Sequence, residues 1–512
     1  MIDLMGTLVE WNNILNDIVW GLPILVMFFA GGIATTLMLR FAEFRHFGTI
    51  LKTPLQFKKG APGKGEVKPL SALFMVCAAT VGVGNIAGVG TAIGTGGPGA
   101  LFWMFLVALW GMSIKACEVS LALWTRKVGP DGKISRGGTM FYIERIPLIG
   151  SILAALFALF AWIAAFGIGN MVQANSVAHG AEYIAKAAGV GEAGIFWVRA
   201  GIGVLLMILV GLVIIGGIKR ISRVVIYVVP FMCVWYAIFG IALVLYKIGD
   251  LPWAISTVVA HAFTPHAAVG GFAGATVFMA VRYGLARGLF SNEAGMGSAP
   301  LVYAFSESDH PGRMAFFGMF EVLLDTFMCL VTGFVIVITR AWESGLTGAA
   351  LTMEGFTRVY GGGAAIILGI ALMLVAFSTI LAWSFYGEST FKYFFSTRLK
   401  VLSEHKAITL YRVIWLPPLL IAAVAARHLD TIWAFADTFN GLMAIPNIVA
   451  IIFFIPITMR MLKHYVWVYL PSLKKPGLAD GGEPLIDEGG EGLLGRWSST
   501  ACKALTKRKT GK

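Results

Sequence analysis

The sequence predicts an all-α, polytopic membrane protein with about 11 transmembrane helices. Hydrophobic residues make up 58% of the 512 positions, whereas charged residues make up only 13%. Soluble domains carry about 25% charged residues, so most of this chain requires an apolar surrounding. In addition, one of the apolar segments is interrupted by closely spaced glycines, which indicates that its helix is broken inside the membrane.

Apolar runs of roughly 20 residues recur along the chain, and each is long enough to cross a bilayer as a helix. The first lies near Val19–Leu39. The other ten lie near Leu70–Thr95, Gly99–Trp124, Ile149–Ile184, Phe196–Ile218, Val224–Tyr246, Phe272–Arg287, Ala315–Thr339, Ala364–Phe391, Ile408–Ala426 and Ile432–Ile457. We expect residues 1–69 to form an N-terminal helix and a basic loop, 70–465 a ten-helix core, and 466–512 a mobile cytoplasmic tail.

The basic residues predict an N-terminus outside and a C-terminus in the cytoplasm, because Lys and Arg accumulate in cytoplasmic loops. With this orientation, the inner loop 40–68 holds Arg40, Arg45, Lys52, Lys58, Lys59, Lys64 and Lys68. The outer loops hold only Lys186, Arg199, Lys247, Arg340, Arg358 and Arg427. The net charge of +13 therefore follows from topology and requires no nucleic-acid partner.

The interrupted span contains Ala79-Thr-Val-Gly-Val-Gly-Asn-Ile-Ala-Gly-Val-Gly90. Lipid cannot hydrogen-bond to free backbone groups, so a helix broken at this depth must line a cavity or bind something polar. The half-helix that starts near Gly84 could receive a carboxylate at its free N–H groups and positive dipole end. Carbonyl groups left free on the other side of the break could ligate a hard cation.

The ten core spans divide into two sets of five that enter the membrane from opposite sides, as an inverted repeat requires. The first span of the second set also contains glycines, in Gly270–Met279 and in the following Gly284–Gly297. We therefore expect the first and sixth core helices to be broken. The cysteines stand singly and are interpreted as small core residues: Cys77, Cys117, Cys233, Cys329 and Cys502.

Six stretches, spread from Leu70 to beyond Ala450, match motifs of a known family. They are Thr80-Val-Gly-Val-Gly-Asn-Ile-Ala-Gly88, Gly96-Gly-Pro-Gly-Ala-Leu-Phe-Trp-Met104 followed by Gly111-Met and Glu118, Gly137-Gly-Thr-Met-Phe-Tyr142, Gly284-Leu-Ala-Arg-Gly-Leu-Phe-Ser-Asn-Glu-Ala-Gly-Met-Gly-Ser-Ala299, Phe377-Ser-Thr-Ile-Leu-Ala-Trp-Ser-Phe-Tyr-Gly-Glu388 and Asn440-Gly-Leu-Met-Ala-Ile-Pro-Asn447. The chain thus resembles the alanine/glycine:cation symporters, bacterial and archaeal carriers that import small amino acids with sodium. Two departures are Phe105, where that family usually has Trp, and Ala382, where Gly is expected.

This resemblance implies a fold similar to that of sodium-coupled neurotransmitter transporters, with ten core helices in two inverted halves. It also implies sodium-coupled import of a small neutral amino acid, alanine or glycine, by alternating access across the cell inner membrane. No catalytic residue, cofactor or obligate protein partner is expected; the partners are the amino acid, Na⁺ and the lipid bilayer.

The resemblance further implies two sets of site residues. The substrate set comprises Thr80, Gly82, Gly84, Asn85, Gln173, Phe278, Met279 and Trp383. The sodium set comprises the main-chain oxygens of Ala78, Val81 and Val375 and the hydroxyls of Ser378 and Thr379. These five oxygens carry no formal charge, which suits a monovalent ion better than calcium.

Structural interpretations of these residues remain open. Asn85 could cap the half-helix, and the hydroxyls of Ser378 and Thr379 could bond back to their own helix. Interhelical hydrogen bonds or plain packing are the alternatives for Asn170, Gln173, Asn175, Phe278 and Trp383.

Ionisable residues inside the membrane are functional candidates by default. Lys115 and Glu118, three positions apart, are interpreted as a structural ion pair. Glu321 and Asp325 could be coupling residues, proton acceptors or partners of distant arginines such as Arg282 and Arg287. Asp437 and Asn440 carry the same ambiguity.

Three other functions are alternatives to sodium symport. The Thr80–Gly84 segment echoes the filter of a potassium channel, but such filters need four copies around one axis, and this chain has one. A membrane enzyme is disfavoured because the sequence has no HExxH or Walker A motif and no GxSxG with a partnered His. A proton-coupled or differently selective amino-acid carrier of the same fold remains the alternative.

Overall fold

A computed structural model of the chain describes residues 4–56, 63–130, 132–265, 274–425 and 429–470. Most of the tail predicted for residues 466–512 lies outside these ranges, as does Cys502. The first half of the chain forms helices α1 (Leu4–Val19), α2 (Leu22–Met38), α3 (Ala42–Arg45), α4 (Phe47–Gln56), α5 (Pro69–Thr80), α6 (Val89–Gly96), α7 (Gly99–Thr125), α8 (Thr139–Ile143), α9 (Gly150–Ala164), α10 (Val172–Ala187), α11 (Glu192–Ile214), α12 (Gly217–Tyr246) and α13 (Leu251–Phe263). A short antiparallel hairpin of β1 (Lys127–Val128) and β2 (Ile134–Arg136) follows α7.

The second half is also helical. It contains α14 (Val277–Asn292), α15 (Pro300–Tyr303), α16 (Pro311–Ile338), α17 (Gly348–Tyr360), α18 (Gly363–Lys392), α19 (Glu404–Trp415), α20 (Pro417–Val424) and α21 (Leu429–His464). Short π-helical segments extend or join these helices at Gly84–Gly88, Ala165–Met171, Tyr393–Arg398 and Tyr465–Tyr469, and 3₁₀ turns occur at Ile248–Asp250 and Ala341–Ser344.

The all-α, polytopic class is confirmed. Within the described ranges, nine helical runs are long and apolar enough to cross a membrane, or ten if the bent pair Pro69–Thr80 and Gly84–Gly96 counts as one span. The remaining predicted span, Phe272–Arg287, overlaps α14, which has 16 residues. Residues 266–273, just before α14, lie outside the described ranges.

The chain bends by 46° between α5 and the helix that starts at Gly84. The N–H group of Gly82 inside this break is bound by the Asn85 side-chain oxygen at 2.8 Å. The two halves are central in the bundle, because α5 contacts α12, α16 and α18, whereas α6 contacts α14 and α17. The bend therefore lies where several helices converge.

A second interruption follows α14, at residues 293–299. Glu293 ends α14 in a left-handed conformation with φ of 51°. Gly295 and Gly297 also have positive φ, which glycine adopts without steric cost. The chain then resumes as the single turn of α15.

Candidate functional site

A cavity with about 310 Å³ of empty space lies between the two interruptions. Thr80, Gly82, Val83 and Gly84 line it from the first break, and Phe290, Ser291 and Glu293 line it from the end of α14. The other walls include Gln173 of α10, Thr379 and Trp383 of α18, and Asn440 of α21. The structure thus brings five of the expected substrate residues to one cavity: Thr80, Gly82, Gly84, Gln173 and Trp383.

Three residues of this cavity carry buried polar atoms that have no hydrogen-bond partner among the described residues. These atoms are Gln173 Oε1, Asn440 Oδ1 and Trp383 Nε1. Buried polar groups are nearly always paired, because an unpaired group costs about 1–3 kcal/mol. Two acceptors and one donor at the same cavity therefore fit a polar ligand that bears both kinds of group.

Trp383 is a firmly held wall of the cavity. The side chain is 2% exposed and packs against Gly169 so closely that a Cβ on this glycine would lie 2.2 Å from the Trp383 Cβ. Its ring also makes an edge contact with Tyr386 at 5.4 Å between centroids. Because Trp383 has little room to move, it limits the size of anything bound beside it.

Phe278 and Met279 are not brought to the cavity. Both lie in the first turn of α14, where Phe278 is 57% exposed and the Met279 N–H group is capped by Thr276. The interruption is at the opposite end of this helix, roughly 20 Å away at 1.5 Å per residue. The residues that α14 and its C-terminal end contribute instead are Phe290, Ser291 and Glu293, which are absent from the expected substrate set. The signal for them was the second glycine-containing stretch, Gly284–Gly297.

Asn85 holds the first break together and is not among the residues that line the cavity. Its side-chain oxygen accepts the Gly82 N–H group, and its Nδ2 donates to the Asp325 carboxylate at 2.7 Å. Asp325 Oδ1 also accepts a hydrogen bond from Ser291 Oγ at 3.0 Å. This carboxylate on α16 therefore links the first break to the end of α14, and the geometry favours the structural interpretation of Asn85.

Oxygen atoms of the expected sodium set cluster where α5 meets α18. The Thr379 hydroxyl lies 2.8 Å from the Ala78 carbonyl oxygen and 2.9 Å from that of Val375. The Ser378 hydroxyl lies 2.9 Å from the same Val375 oxygen. Val81 follows the last residue of α5 and is buried, like the other members of the sodium set. Such oxygens suit a hard monovalent cation, because the hydroxyls can rotate their protons away from it and the carbonyl oxygens carry lone pairs that can then ligate it.

The buried carboxylates have local partners. Lys115 Nζ lies 3.6 Å from Glu118 and 3.4 Å from Glu321, and all three side chains are fully buried. Glu118 also accepts the Gly297 N–H group at 3.2 Å and the Asn447 amide at 2.9 Å, which fixes the second interruption. The partner of Glu321 is thus Lys115 and not a distant arginine.

Arg287 and Arg282, the other candidate partners, bind different carboxylates. Arg287 lies 3.4 Å from Asp437, and Arg282 lies 3.0 Å from Asp17. The pair of Arg287 and Asp437 borders a second, larger cavity with about 1240 Å³ of empty space. Val83 and Phe290 line both cavities and therefore separate them.

Arg126, which follows α7, links two segments of the chain that are distant in sequence. Its guanidinium donates hydrogen bonds to the carbonyl oxygens of Lys64 at 2.9 Å, Ala304 at 3.2 Å, Ser306 at 2.6 Å and Ser308 at 2.6 Å. These bonds fasten the segment before α5 to the segment after α15. The small cavity therefore borders the larger cavity at Val83 and Phe290, whereas the Arg126 bonds link the segments that precede α5 and follow α15.

Comparisons with known proteins identify the family and the fold. A model of the sodium:alanine symporter family matches residues 5–475. The sodium/alanine symporter AgcS of Methanococcus maripaludis is 40% identical over 448 residues, which are 86% of this chain and 93% of that protein. An uncharacterized transporter of Haemophilus influenzae is 40% identical over 442 residues, with 86% and 92% covered. The crystal structure of MhsT in complex with L-phenylalanine superposes with a TM-score of 0.51 at 15% identity, covering 82% of this chain and 94% of that one. The last comparison concerns the fold alone.

Proposed function

Because this chain belongs to the sodium:alanine symporter family, a family of multi-pass membrane carriers and not of enzymes, we propose that it imports alanine or glycine together with Na⁺ by alternating access. The observation that carries this proposal is the position of Thr379. Its side chain lines the small cavity and also belongs to the cluster of carbonyl and hydroxyl oxygens beside it. An ion held by this cluster would order one wall of the cavity, so ion and substrate would bind together.

The charges around the cavity match an amino-acid zwitterion. The first N–H groups of a helix generally lack intrahelical partners, so the start of the half-helix at Gly84 would suit the substrate carboxylate. Glu293, Gln173 and Asn440 supply acceptor oxygens for the substrate ammonium group. We assign Asn85 an indirect role, because its side chain is already committed to Gly82 and Asp325.

The walls of the cavity support a small side chain. Trp383 is held in place by Gly169, and Phe290 packs close to the Gly84 backbone, since a Cβ on Gly84 would already lie 3.4 Å from its ring. Enlarging a packed side chain costs roughly 1–3 kcal/mol, which disfavours leucine and phenylalanine as substrates. Trp383→Ala should therefore broaden the range of transported amino acids.

Alternating access is supported by the difference between the two ends of the bundle. The larger cavity approaches from the side that the basic residues assign to the outside, and Arg126 pins the side they assign to the cytoplasm. Transport would then require release of the Arg126 bonds and closure of the larger cavity. Ligands that bind the two arrangements with different affinity would shift their populations.

The experiment is uptake of labelled alanine into proteoliposomes, with either an inward Na⁺ gradient or a pH gradient in Na⁺-free buffer. We expect uptake only with Na⁺, and competition by alanine and glycine but not by leucine or alaninamide. Uptake driven by the pH gradient alone would favour the proton-coupled alternative.

The oxygen cluster is tested by the double variant Ser378→Ala, Thr379→Ala, which should raise the Na⁺ concentration for half-maximal uptake. Ser384→Ala is the matched control: Ser384 lies on the same helix, is equally buried and bonds to Leu381, outside the cluster. An unchanged Na⁺ dependence in the double variant would move the ion site elsewhere.

A further inference from the structure

A third cavity lies far from the amino-acid site, at the face of the bundle that carries the basic loops. It contains about 480 Å³ of empty space and lies where α2 and α21 end. Its polar lining consists of Arg40, Arg45, His46 and Lys463, and its apolar lining includes Leu39, Phe316, Met459, Val466 and Trp467. We call it the Arg40–Lys463 cavity.

This cavity has an excess of positive charge. Arg40, Arg45 and Lys463 are exposed, and none of the ion pairs found among the described residues includes them. The carboxylate of α3, Glu43, is 1% exposed and faces Ser113 and Thr36 instead. The three cations around the Arg40–Lys463 cavity should therefore attract an anion.

The position of the cavity and its apolar lining indicate which kind of anion would fit it. The membrane-spanning runs Val9–Met38 and Trp433–Tyr469 both end at the cavity, which places it at the level of the lipid head groups. Trp467 is 63% exposed and lies 6.0 Å from the Arg45 guanidinium, as tryptophans do in the interfacial belts of membrane proteins. The apolar residues continue from the cations toward the hydrocarbon region, so they suit an acyl chain rather than water.

We propose that the Arg40–Lys463 cavity binds the phosphate head group of an anionic phospholipid. Arg40, Arg45 and Lys463 would contact the phosphate oxygens, and the apolar lining beneath them would accept the start of an acyl chain. The lipid would thereby join the N-terminal helix α2 to the end of the last core helix α21. This inference does not depend on the identity of the transported substrate.

The test measures the melting temperature of the purified full chain in neutral detergent with increasing phosphatidylglycerol, phosphatidylcholine or inorganic phosphate. We expect phosphatidylglycerol to raise the melting temperature well beyond phosphatidylcholine, and inorganic phosphate to have no effect at the same concentrations. In the variant Arg45→Ala, Lys463→Ala the phosphatidylglycerol concentration for half the effect should rise roughly 25-fold, or about fivefold per charge. Adding Arg40→Asn should raise it further; Asn is chosen because Arg40 has φ of 56°, which Asn tolerates.

The matched control is Lys219→Ala, Arg223→Ala, Lys406→Ala, which removes exposed charges from the same face outside the cavity. This variant should keep the full response to phosphatidylglycerol. An equal response to both lipids, or an equal loss in the control, would overturn the proposal, whereas saturation by inorganic phosphate would mean a site for free anions. A cavity variant whose melting temperature without lipid equals that of the wild type establishes that its loss of response is not a folding defect.

Discussion

Replacing Gly82 with alanine should weaken Na⁺ binding much more than the same replacement at Gly84. A Cβ on Gly82 would lie 2.8 Å from the Thr379 hydroxyl oxygen, whereas one on Gly84 would lie 3.4 Å from the nearest atom, on Phe290. Neither glycine has a positive φ, so alanine fits both backbones and the contacts decide the outcome. Gly84→Ala is therefore a matched control two residues away in the same break.

The size of the effect on Na⁺ binding depends on how far the Thr379 hydroxyl must move to make room for the new methyl group. Its hydroxyl must retreat by about 0.6 Å to restore ordinary contact, but it is held between the Ala78 and Val375 carbonyl oxygens. Overpacking of this kind costs roughly 1–3 kcal/mol. If this cost falls on the ion-bound state, the Na⁺ concentration for half-saturation rises roughly 5- to 150-fold.

The assay is the melting temperature of the purified protein as a function of Na⁺ concentration, without amino acid and with K⁺ keeping the ionic strength constant. This measurement reports ion binding even in a variant that no longer transports. We expect Gly84→Ala to keep the wild-type Na⁺ dependence and to raise only the alanine concentration for half-maximal uptake. A folded Gly82→Ala protein with wild-type Na⁺ dependence would refute the assignment of the ion to this cluster.

Three further predictions concern His310, Arg126 and Asp325. Burial and the neighbouring His464 lower the pKa of His310 to about 3, so the stability from neutral His310 is complete above pH 6.5 and is lost as the pH falls toward 3, by about 2 kcal/mol at pH 5. His310→Gln should therefore flatten the decline in melting temperature between pH 7 and pH 5. Arg126→Gln removes a charged donor from four carbonyl oxygens, and amide hydrogen exchange of residues 304–308 should rise roughly tenfold or more. Asp325→Ala should lower alanine uptake roughly 10- to 100-fold in a folded protein, because it removes the acceptor of the hydrogen bonds from Asn85 and Ser291, each worth about 0.5–1.5 kcal/mol.

The position of the first break could be predicted because glycines at membrane depth have a physical meaning in the sequence. The second interruption was harder to locate, since glycine-containing stretches flank α14 at both ends. The residue that ends the helix is Glu293, a non-glycine residue in the left-handed region, which no glycine pattern reveals. Choosing the N-terminal end led to Phe278 and Met279, whereas the cavity uses Phe290, Ser291 and Glu293.

The long-range partners of the buried charges could not be predicted from the sequence. The spacing of Lys115 and Glu118 was enough to predict that they pair on one helix. Glu321 completes the same group from α16, more than 200 positions later, and only the packing of α16 against α7 brings it there. Spacing along a helix determines local pairs, but long-range pairs depend on which helices become neighbours.

The carboxylates and the neutral oxygens have different roles in the proposed site: the carboxylates are structural, and the neutral oxygens would bind the ion. Asp325 and Glu118 accept hydrogen bonds from backbone or side-chain donors at the two interruptions, so they stabilise the broken helices. The oxygens clustered around Thr379, whose side chain lines the cavity, carry no formal charge. An ion that must dissociate in each transport cycle suits such neutral ligands. A buried carboxylate left without its cation would be destabilised by its large desolvation penalty. In the proposed cycle, the ion could therefore bind and dissociate while the hydrogen bonds at the two interruptions are kept.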